Sequence, residues 1–151
     1  MTEAATESVA AERLLLFRLS GRVYGTKLEA VREIIPWRRA TRLPGAPRFV
    51  VGLINLRGTI ITVADLAMRL ALPTGDRSNS SIVLVQSEQK TMGFVVDEVM
   101  DVRSITADRV ERASPGTVPD AAKSVVLGTG HLEDAVVILV DLQALARQIL
   151  L

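Results

Sequence analysis

The apolar residues of this chain fall into short runs that alternate with turn signals. Val, Ile and Leu dominate these runs, which are broken by Gly, Pro, Asn and Ser. Apolar runs of about 4–8 residues bounded by such residues are typical of β-strands. In the first half, the pattern predicts strands at residues 14–19, 23–28, 31–35, 50–56 and 59–63.

One helix is predicted directly after the fifth of these strands. Residues 65–72 place Leu66 and Leu70 at helical spacing. Asp65 precedes them, and its carboxylate can accept the free amide hydrogens of a first helical turn. We therefore expect Asp65 to be the N-cap of a short helix.

The second half of the chain repeats this order of elements. Gly52 lies 13 positions before Asp65, and Gly128 lies 13 positions before Asp141. Further pairs of similar residues align at a constant offset of 68: Leu16 with Leu84, Gly25 with Gly93, and Val31 with Val99. An internal repeat determines the architecture. The spacing predicts two copies of one unit, at about residues 14–72 and 81–150.

Each copy would contain about five short strands, and a small open sheet leaves unpaired edges. Curling such a sheet into a barrel removes those edges. The sequence therefore predicts a mostly β protein with two small five-stranded barrels packed together, each closed by a short helix. An exchange of strands or of a helix between the copies is compatible with the repeat. Residues 1–12 are small and polar, and we expect a flexible N-terminus there.

The composition excludes several kinds of chemistry. The chain has 151 residues with no Cys and one His, which excludes disulfides, thiolate nucleophiles and Cys-ligated metals. No cofactor or metal is expected. The 18 Lys and Arg nearly balance 17 Asp and Glu, which argues against a general nucleic-acid binder. No apolar run reaches transmembrane length, and the N-terminus does not resemble a signal peptide. We expect a cytoplasmic globular protein with no membrane insertion.

The carboxylates and the single His give two alternatives. Asp65 and Asp97 end apolar strands, which permits the hypothesis of an enzyme that uses carboxylates as acid and base. The alternative is structural. Asp65 and Asp141 are then equivalent N-caps, and Asp97 satisfies backbone groups at a strand end. His131 lies near a predicted turn, and a surface or structural role is expected for it.

A cluster of basic residues follows the third strand. Arg38, Arg39, Arg42 and Arg48 lie beside Trp37 in a stretch without acidic residues. Small barrels can bind single-stranded nucleic acid with arginine and stacking aromatic side chains, which gives an alternative function. The other interpretation is a solvated loop.

Arg57 stands on a tight turn between two apolar strands. A planar guanidinium held on a protruding turn suits recognition of carboxylates and carbonyls on another protein. Residues 52–58, Gly-Leu-Ile-Asn-Leu-Arg-Gly, are followed by Ile60-Ile61 and Asp65-Leu66. This segment resembles the central motif of the CheW family of chemotaxis coupling proteins. Residues 43–47, 93–99 and 138–142 support the resemblance, which covers about residues 13–150.

The resemblance implies two SH3-like barrels in a CheW-like domain over residues 13–151. It also implies a non-enzymatic adaptor that links the cytoplasmic tips of chemoreceptors to the regulatory domain of a chemotaxis histidine kinase. The kinase domain is similar in fold, so the two would alternate in rings within membrane-associated receptor arrays. The free adaptor is expected to be a monomer.

Site residues follow from the resemblance by position. The kinase-facing residues would be Val31, Glu33, Gly52 and Arg57. The receptor-facing residues, in a groove between the barrels, would be Ser81, Gly93, Val99 and Val102. Two positions depart from the family pattern, because Ser81 replaces a typically apolar residue and Thr62 replaces a common Pro.

Overall fold

The computed structural model describes residues 11–113 and 125–150, and most of them form β-strands. The strands of the first half are β1 (Glu12–Leu19), β2 (Arg22–Lys27), β3 (Val31–Pro36), β4 (Val50–Leu56) and β5 (Thr59–Asp65). Those of the second half are β6 (Ser81–Ser87), β7 (Lys90–Val96), β8 (Glu98–Ile105), β9 (Val110–Arg112), β10 (Val126–His131) and β11 (Val136–Val140). The helices are α1 (Leu66–Arg69) and α2 (Leu142–Leu150), with single 3-10 turns at Leu28–Ala30 and Ala107–Arg109.

The strands form two sheets, which confirms the predicted mostly β fold with a helix near the end of the chain. Sheet A has six strands in the order β8-β1-β2-β11-β10-β9, and sheet B has five in the order β3-β6-β7-β5-β4. Three details differ from the prediction. Sheet A has six strands rather than five. Helix α1 ends at Arg69 rather than at residue 72, with Ala71 already in a left-handed conformation (φ 61°). The predicted N-terminal segment, 1–12, lies outside the described residues except for its last two positions, and β1 begins at Glu12.

Each sheet contains strands from both halves of the sequence. In sheet B, β5 pairs in parallel with β7, so that Val63 lies opposite Gly93. In sheet A, β11 pairs in parallel with β2, so that Leu139 lies opposite Gly25. The two halves are therefore interleaved, with the β6–β7 hairpin in sheet B and the β1–β2 hairpin in sheet A.

The edges of each sheet approach one another. In sheet B the chain beyond β3 returns to β4, where Thr41 and Leu53 exchange two backbone hydrogen bonds of 2.8 Å. In sheet A the chain beyond β8 turns at Ala107–Arg109 and enters β9, which pairs with β10. Both sheets are thus curled rather than flat, as a small sheet must be to cover its edges.

Three apolar clusters explain why β1 and β6 are apolar at consecutive positions. Leu14 and Leu16 of β1 fill a cluster within sheet A, and Ile82 and Leu84 of β6 fill one within sheet B. The alternate residues of both strands point the other way, into a larger cluster between the sheets. That shared cluster contains Phe17, Phe94, Leu66, Leu142 and Leu145. A strand buried on both faces needs apolar residues at every position.

The two strand-end aspartates act as predicted. Oδ1 of Asp65 accepts a hydrogen bond from the Met68 amide at 3.0 Å, and Oδ1 of Asp141 accepts one from the Ala144 amide at 2.9 Å. Both are therefore N-caps, one for each helix. Asp97 accepts the amide hydrogen of Ser20 at 2.9 Å, which confirms its strand-end role. These bonds engage Asp65 and Asp97 in the fold and give no support to an enzyme built on them.

Candidate functional site

The turn between β4 and β5 presents Arg57 at one corner of sheet B. Arg57 and Gly58 form a two-residue turn with φ values of 50° and 90°. The Asn55 side chain accepts the Gly58 amide hydrogen at 2.9 Å and fixes the turn. A left-handed conformation costs a residue with a side chain about 1 kcal/mol, and such hairpin turns favour Asn or Gly. Arg57 therefore occupies a position that backbone geometry alone would not assign to arginine.

An ion pair orients the Arg57 side chain. Its Nη2 lies 2.5 Å from Oε1 of Glu33 on β3, and the two side chains are 68% and 38% exposed. The pair joins the first and last strands of the sheet order. We call Glu33, Arg57 and the turn between β4 and β5 the Arg57 corner. An exposed pair contributes only about 0.2–1 kcal/mol, so its main effect is to hold the guanidinium in place.

Two exposed apolar side chains lie on the strands that form this corner. Ile34 follows Glu33 on β3 and is 40% exposed, and Ile60 on β5 is 60% exposed. Sequence reasoning did not assign them a role. Strand alternation could have identified them, because Ile35 and Ile61 beside them are buried and successive side chains point to opposite faces.

The other predicted kinase-facing residues are less accessible. Val31 on β3 is half-buried and packs against the shared cluster. Gly52 on β4 is buried at φ 150°, and a Cβ there would lie 2.2 Å from the Thr41 carbonyl oxygen. Glycine is required so that the chain can approach β4 at Thr41, and Gly52 shapes the edge of the sheet at that contact.

The predicted receptor-facing residues lie on three strands. Ser81 and Gly93 are in sheet B, on β6 and β7, whereas Val99 and Val102 are on β8 at the edge of sheet A. Val102 is 45% exposed and Val99 packs partly against the shared cluster. Gly93 is buried, and a Cβ there would lie 2.7 Å from Cγ2 of Ile82. Val102 thus offers the most surface of the four.

The aromatic residues beside the basic cluster are already covered. The Arg77 guanidinium lies 5.8 Å from the centroid of the Trp37 ring and is held there by bonds of 3.0 and 2.8 Å to Oδ2 of Asp65. The Arg69 guanidinium likewise lies 5.6 Å from the centroid of the Phe49 ring. Stacking of nucleic-acid bases needs an open aromatic face. The alternative of single-strand binding therefore gains no support from this geometry.

The perturbed acid groups of the described chain have local structural causes. A hydrogen bond from Ser78 lowers the pKa of Asp76, and one from Arg103 lowers the pKa of Asp134. Burial raises the pKa of Tyr24. His131 is exposed, with Nε2 3.3 Å from Oε1 of Glu111. The pKa shifts of Asp76, Asp134 and Tyr24 are each explained by their neighbours in the fold.

The described residues hold neither a candidate metal site nor a candidate membrane-spanning helix. Over residues 11–113 and 125–150, no group of three or more His, Asp or Glu side chains is arranged to hold a metal ion. In the same ranges, neither helix has the length and apolar character needed to cross a bilayer.

Comparisons with known proteins point to one family. The family model described as the CheW-like domain matches residues 13–150. The chemotaxis protein CheW of Rhizobium meliloti is 32% identical over 146 residues, covering 95% of this chain and 94% of that relative. The chemotaxis protein CheW of Klebsiella aerogenes is 34% identical, covering 96% and 87%. The crystal structure of the scaffolding protein TtCheW from Thermoanaerobacter tengcongensis superimposes with a TM-score of 0.79 at 31% identity, covering 87% of this chain and 89% of that one.

Proposed function

Because the chain belongs to the CheW family of chemotaxis scaffold proteins, we propose that it couples the cytoplasmic tips of chemoreceptors to the regulatory domain of a chemotaxis histidine kinase. It does so without catalysis, in rings beneath membrane-associated receptor arrays, and it is a monomer when free. The relatives named above are two chemotaxis proteins and one scaffolding protein, which supports this role.

The Arg57 corner is the observation that carries the kinase-facing part of the proposal. Its guanidinium is exposed, oriented by Glu33 and placed at the tip of a rigid turn. Exposed Ile34 and Ile60 on the adjoining strands supply apolar area. Opposite charges set the orientation and rate of docking, while apolar side chains contribute most of the affinity. Val31 and Gly52 belong to this surface as the residues that shape its strands.

The receptor-facing part of the proposal rests on β8. Exposed Val102 and half-buried Val99 lie on this edge strand, and an apolar strip can receive the face of a receptor helix. Ser81 and Gly93 belong to the proposed groove through their positions on β6 and β7. Because Gly93 is buried, it acts there through packing with Ile82 rather than by direct contact.

A charge reversal tests the kinase-facing surface. Arg57→Glu should weaken capture of the purified kinase regulatory domain at least tenfold, because the partner would meet two carboxylates in place of an ion pair. Arg18→Glu is the matched control, since Arg18 is also an exposed arginine paired with a glutamate, Glu98. The control should bind as the wild type does, and both variants should unfold within about 1 kcal/mol of it.

A charge swap separates the two roles of Arg57. Glu33→Arg combined with Arg57→Glu restores an ion pair within the chain but reverses the polarity offered to a partner. Binding should remain lost in the double variant. If binding returns, Arg57 acts only by closing the sheet, and its assignment to the kinase-facing surface is wrong.

A further inference from the structure

We propose that residues 37–48, the arginine loop, form a docking surface for an acidic segment of a partner protein. The stretch between Glu33 and Asp65 contains no acidic residue. Four arginines lie within the loop, and all four are exposed: Arg38, Arg39, Arg42 and Arg48.

The backbone of the loop is fixed rather than free. The Trp37 amide donates to the Ser80 carbonyl at 3.0 Å, and Thr41 exchanges two bonds with Leu53 of β4. Trp37 and Ala40 pack against the apolar cluster of sheet B. With these two side chains turned inward, the arginines are held outward on an ordered backbone. Pre-organisation of this kind reduces the entropy lost when a partner binds.

The positive charge of the loop is not neutralised within the described chain. Arg18, Arg77 and Arg103 each pair with a carboxylate elsewhere in the fold. In residues 11–113 and 125–150, none of the four loop arginines forms an ion pair or a side-chain hydrogen bond. Like charges held close together raise the local potential and attract a segment of opposite charge.

The repeat shows that the fold itself does not require this charge. The counterpart of the loop in sheet A is the segment around β9, where basic and acidic residues are mixed. Asp108 and Glu111 stand there beside Arg109 and Arg112. The same structural position is thus built without a charge surplus, which points to a use for the surplus in sheet B.

A protein carboxylate fits the loop better than a nucleic acid does. Guanidinium groups bind carboxylates through paired parallel hydrogen bonds. Single-stranded nucleic acid also needs stacking surfaces, and the rings of Trp37 and Phe49 carry the guanidinium groups of Arg77 and Arg69. The occupant we infer is therefore a segment of a protein rich in Asp or Glu.

The fluorescence of Trp37 reports on the loop itself, because Trp37 is the single tryptophan of the chain. A labelled synthetic peptide of alternating Glu and Ser residues is titrated with the full chain at low salt, and affinity is measured by fluorescence anisotropy. Binding should change the emission of Trp37, and affinity should fall as salt is raised because exposed charges are screened. This assay contains neither kinase nor receptor, so its outcome is independent of the proposed function.

Two variants with the same net charge distinguish an effect of the loop arginines from an effect of net charge alone. One replaces the four loop arginines, Arg38, Arg39, Arg42 and Arg48, with serine. The other replaces four exposed arginines outside the loop, Arg13, Arg22, Arg109 and Arg112, with serine. Circular dichroism verifies that both fold. The loop variant should bind the peptide about tenfold or more weakly, and the control variant within about twofold of wild type.

Three outcomes would overturn the proposal. The first is no binding of the peptide by the wild-type chain at low salt. The second is equal weakening in the two variants, which would mean that only net charge matters. The third is tighter binding of a thymidine oligonucleotide, or of vesicles containing phosphatidylglycerol, than of the peptide, which would assign the loop to a different class of partner.

Discussion

The corner of sheet B and the corresponding corner of sheet A each carry an ion pair, with the charges of strand and turn reversed. In sheet B an acid on the edge strand, Glu33, meets a base on the hairpin turn, Arg57. In sheet A a base on the edge strand, Arg103, meets an acid on the hairpin turn, Asp134, at 3.3 Å. Both pairs join the third strand of a repeat unit to the turn of the last hairpin in that unit.

The two sheets have exposed apolar side chains at equivalent positions, although their charged residues differ. Ile34 and Ile60 are exposed in sheet B, and Val102 and Val136 occupy the equivalent positions in sheet A, 45% and 57% exposed. The repeat therefore determines where exposed apolar side chains lie. The charged residues differ between the two sheets, and under the proposed function they set which partner each surface accepts.

The largest expected effect tests whether the two halves share one backbone requirement. Gly52→Ala and Gly128→Ala should each lower the free energy of unfolding by about 2–4 kcal/mol. Both glycines have φ 150°, and a Cβ would lie 2.2 Å from the Thr41 oxygen in one half and 2.1 Å from the Glu111 oxygen in the other. Urea denaturation measures the loss.

Gly75→Ala is the control for this pair, since Gly75 has open space around it. It should change the free energy of unfolding by less than about 0.5 kcal/mol. If Gly128→Ala behaves like the control while Gly52→Ala does not, the two halves do not share this requirement and the comparison fails.

A smaller difference in the free energy of unfolding is expected between variants of the two N-caps. Asp65 is 4% exposed and bonded to Arg77 as well as to the helix, whereas Asp141 caps its helix without an ion pair among the described residues. Asn is a good N-cap but carries no charge. Asp65→Asn should therefore cost about 2 kcal/mol of unfolding free energy, because it leaves Arg77 without its carboxylate.

Asp141→Asn should cost no more than about 0.5 kcal/mol, because the capping bond survives. Thermal or urea unfolding of the two variants, measured side by side, gives the difference. Equal losses would show that Arg77 contributes nothing at Asp65, and that the two caps are equivalent in energy as well as in position.

The smallest effect concerns the ion pair of sheet A. The hydrogen bond from Arg103 holds the pKa of Asp134 below its ordinary value of 3.8. Arg103→Gln should raise this pKa toward the ordinary value, as measured by an NMR titration of the carboxyl carbon. Because the folded pKa is depressed, the stabilising contribution is present above the unfolded pKa and is lost as pH falls through the folded pKa. An unchanged pKa would mean that the pair does not form in solution.

The sequence predicted the local elements of the fold well, for physical reasons. Strands 50–56 and 59–63 were visible because Val, Ile and Leu occupy most of their positions, and Asp65 and Asp141 marked the helix starts through their capping chemistry. The short strand β9 was missed, since its three residues carry no apolar run.

What the sequence could not provide was the pairing of distant groups. Nothing in the local pattern specifies that β5 lies beside β7, or that Arg57 contacts Glu33 across 24 positions. The burial of Gly52 and Gly93 was also hidden, because a glycine carries no information about its neighbours. The roles predicted for Val31, Ser81, Val99 and Val102 remain predictions that binding measurements will decide.

The interleaving of the halves has a consequence for the order of events during synthesis. Strand β11 lies between β2 and β10 in the middle of sheet A, although β2 is made more than a hundred residues earlier. The edge of β2 that pairs with β11 must therefore stay unpaired until β11 has left the ribosome. The last strand of sheet B to be synthesised is β7, so sheet B can form before sheet A. We expect the nascent chain to acquire the Arg57 corner before sheet A is complete.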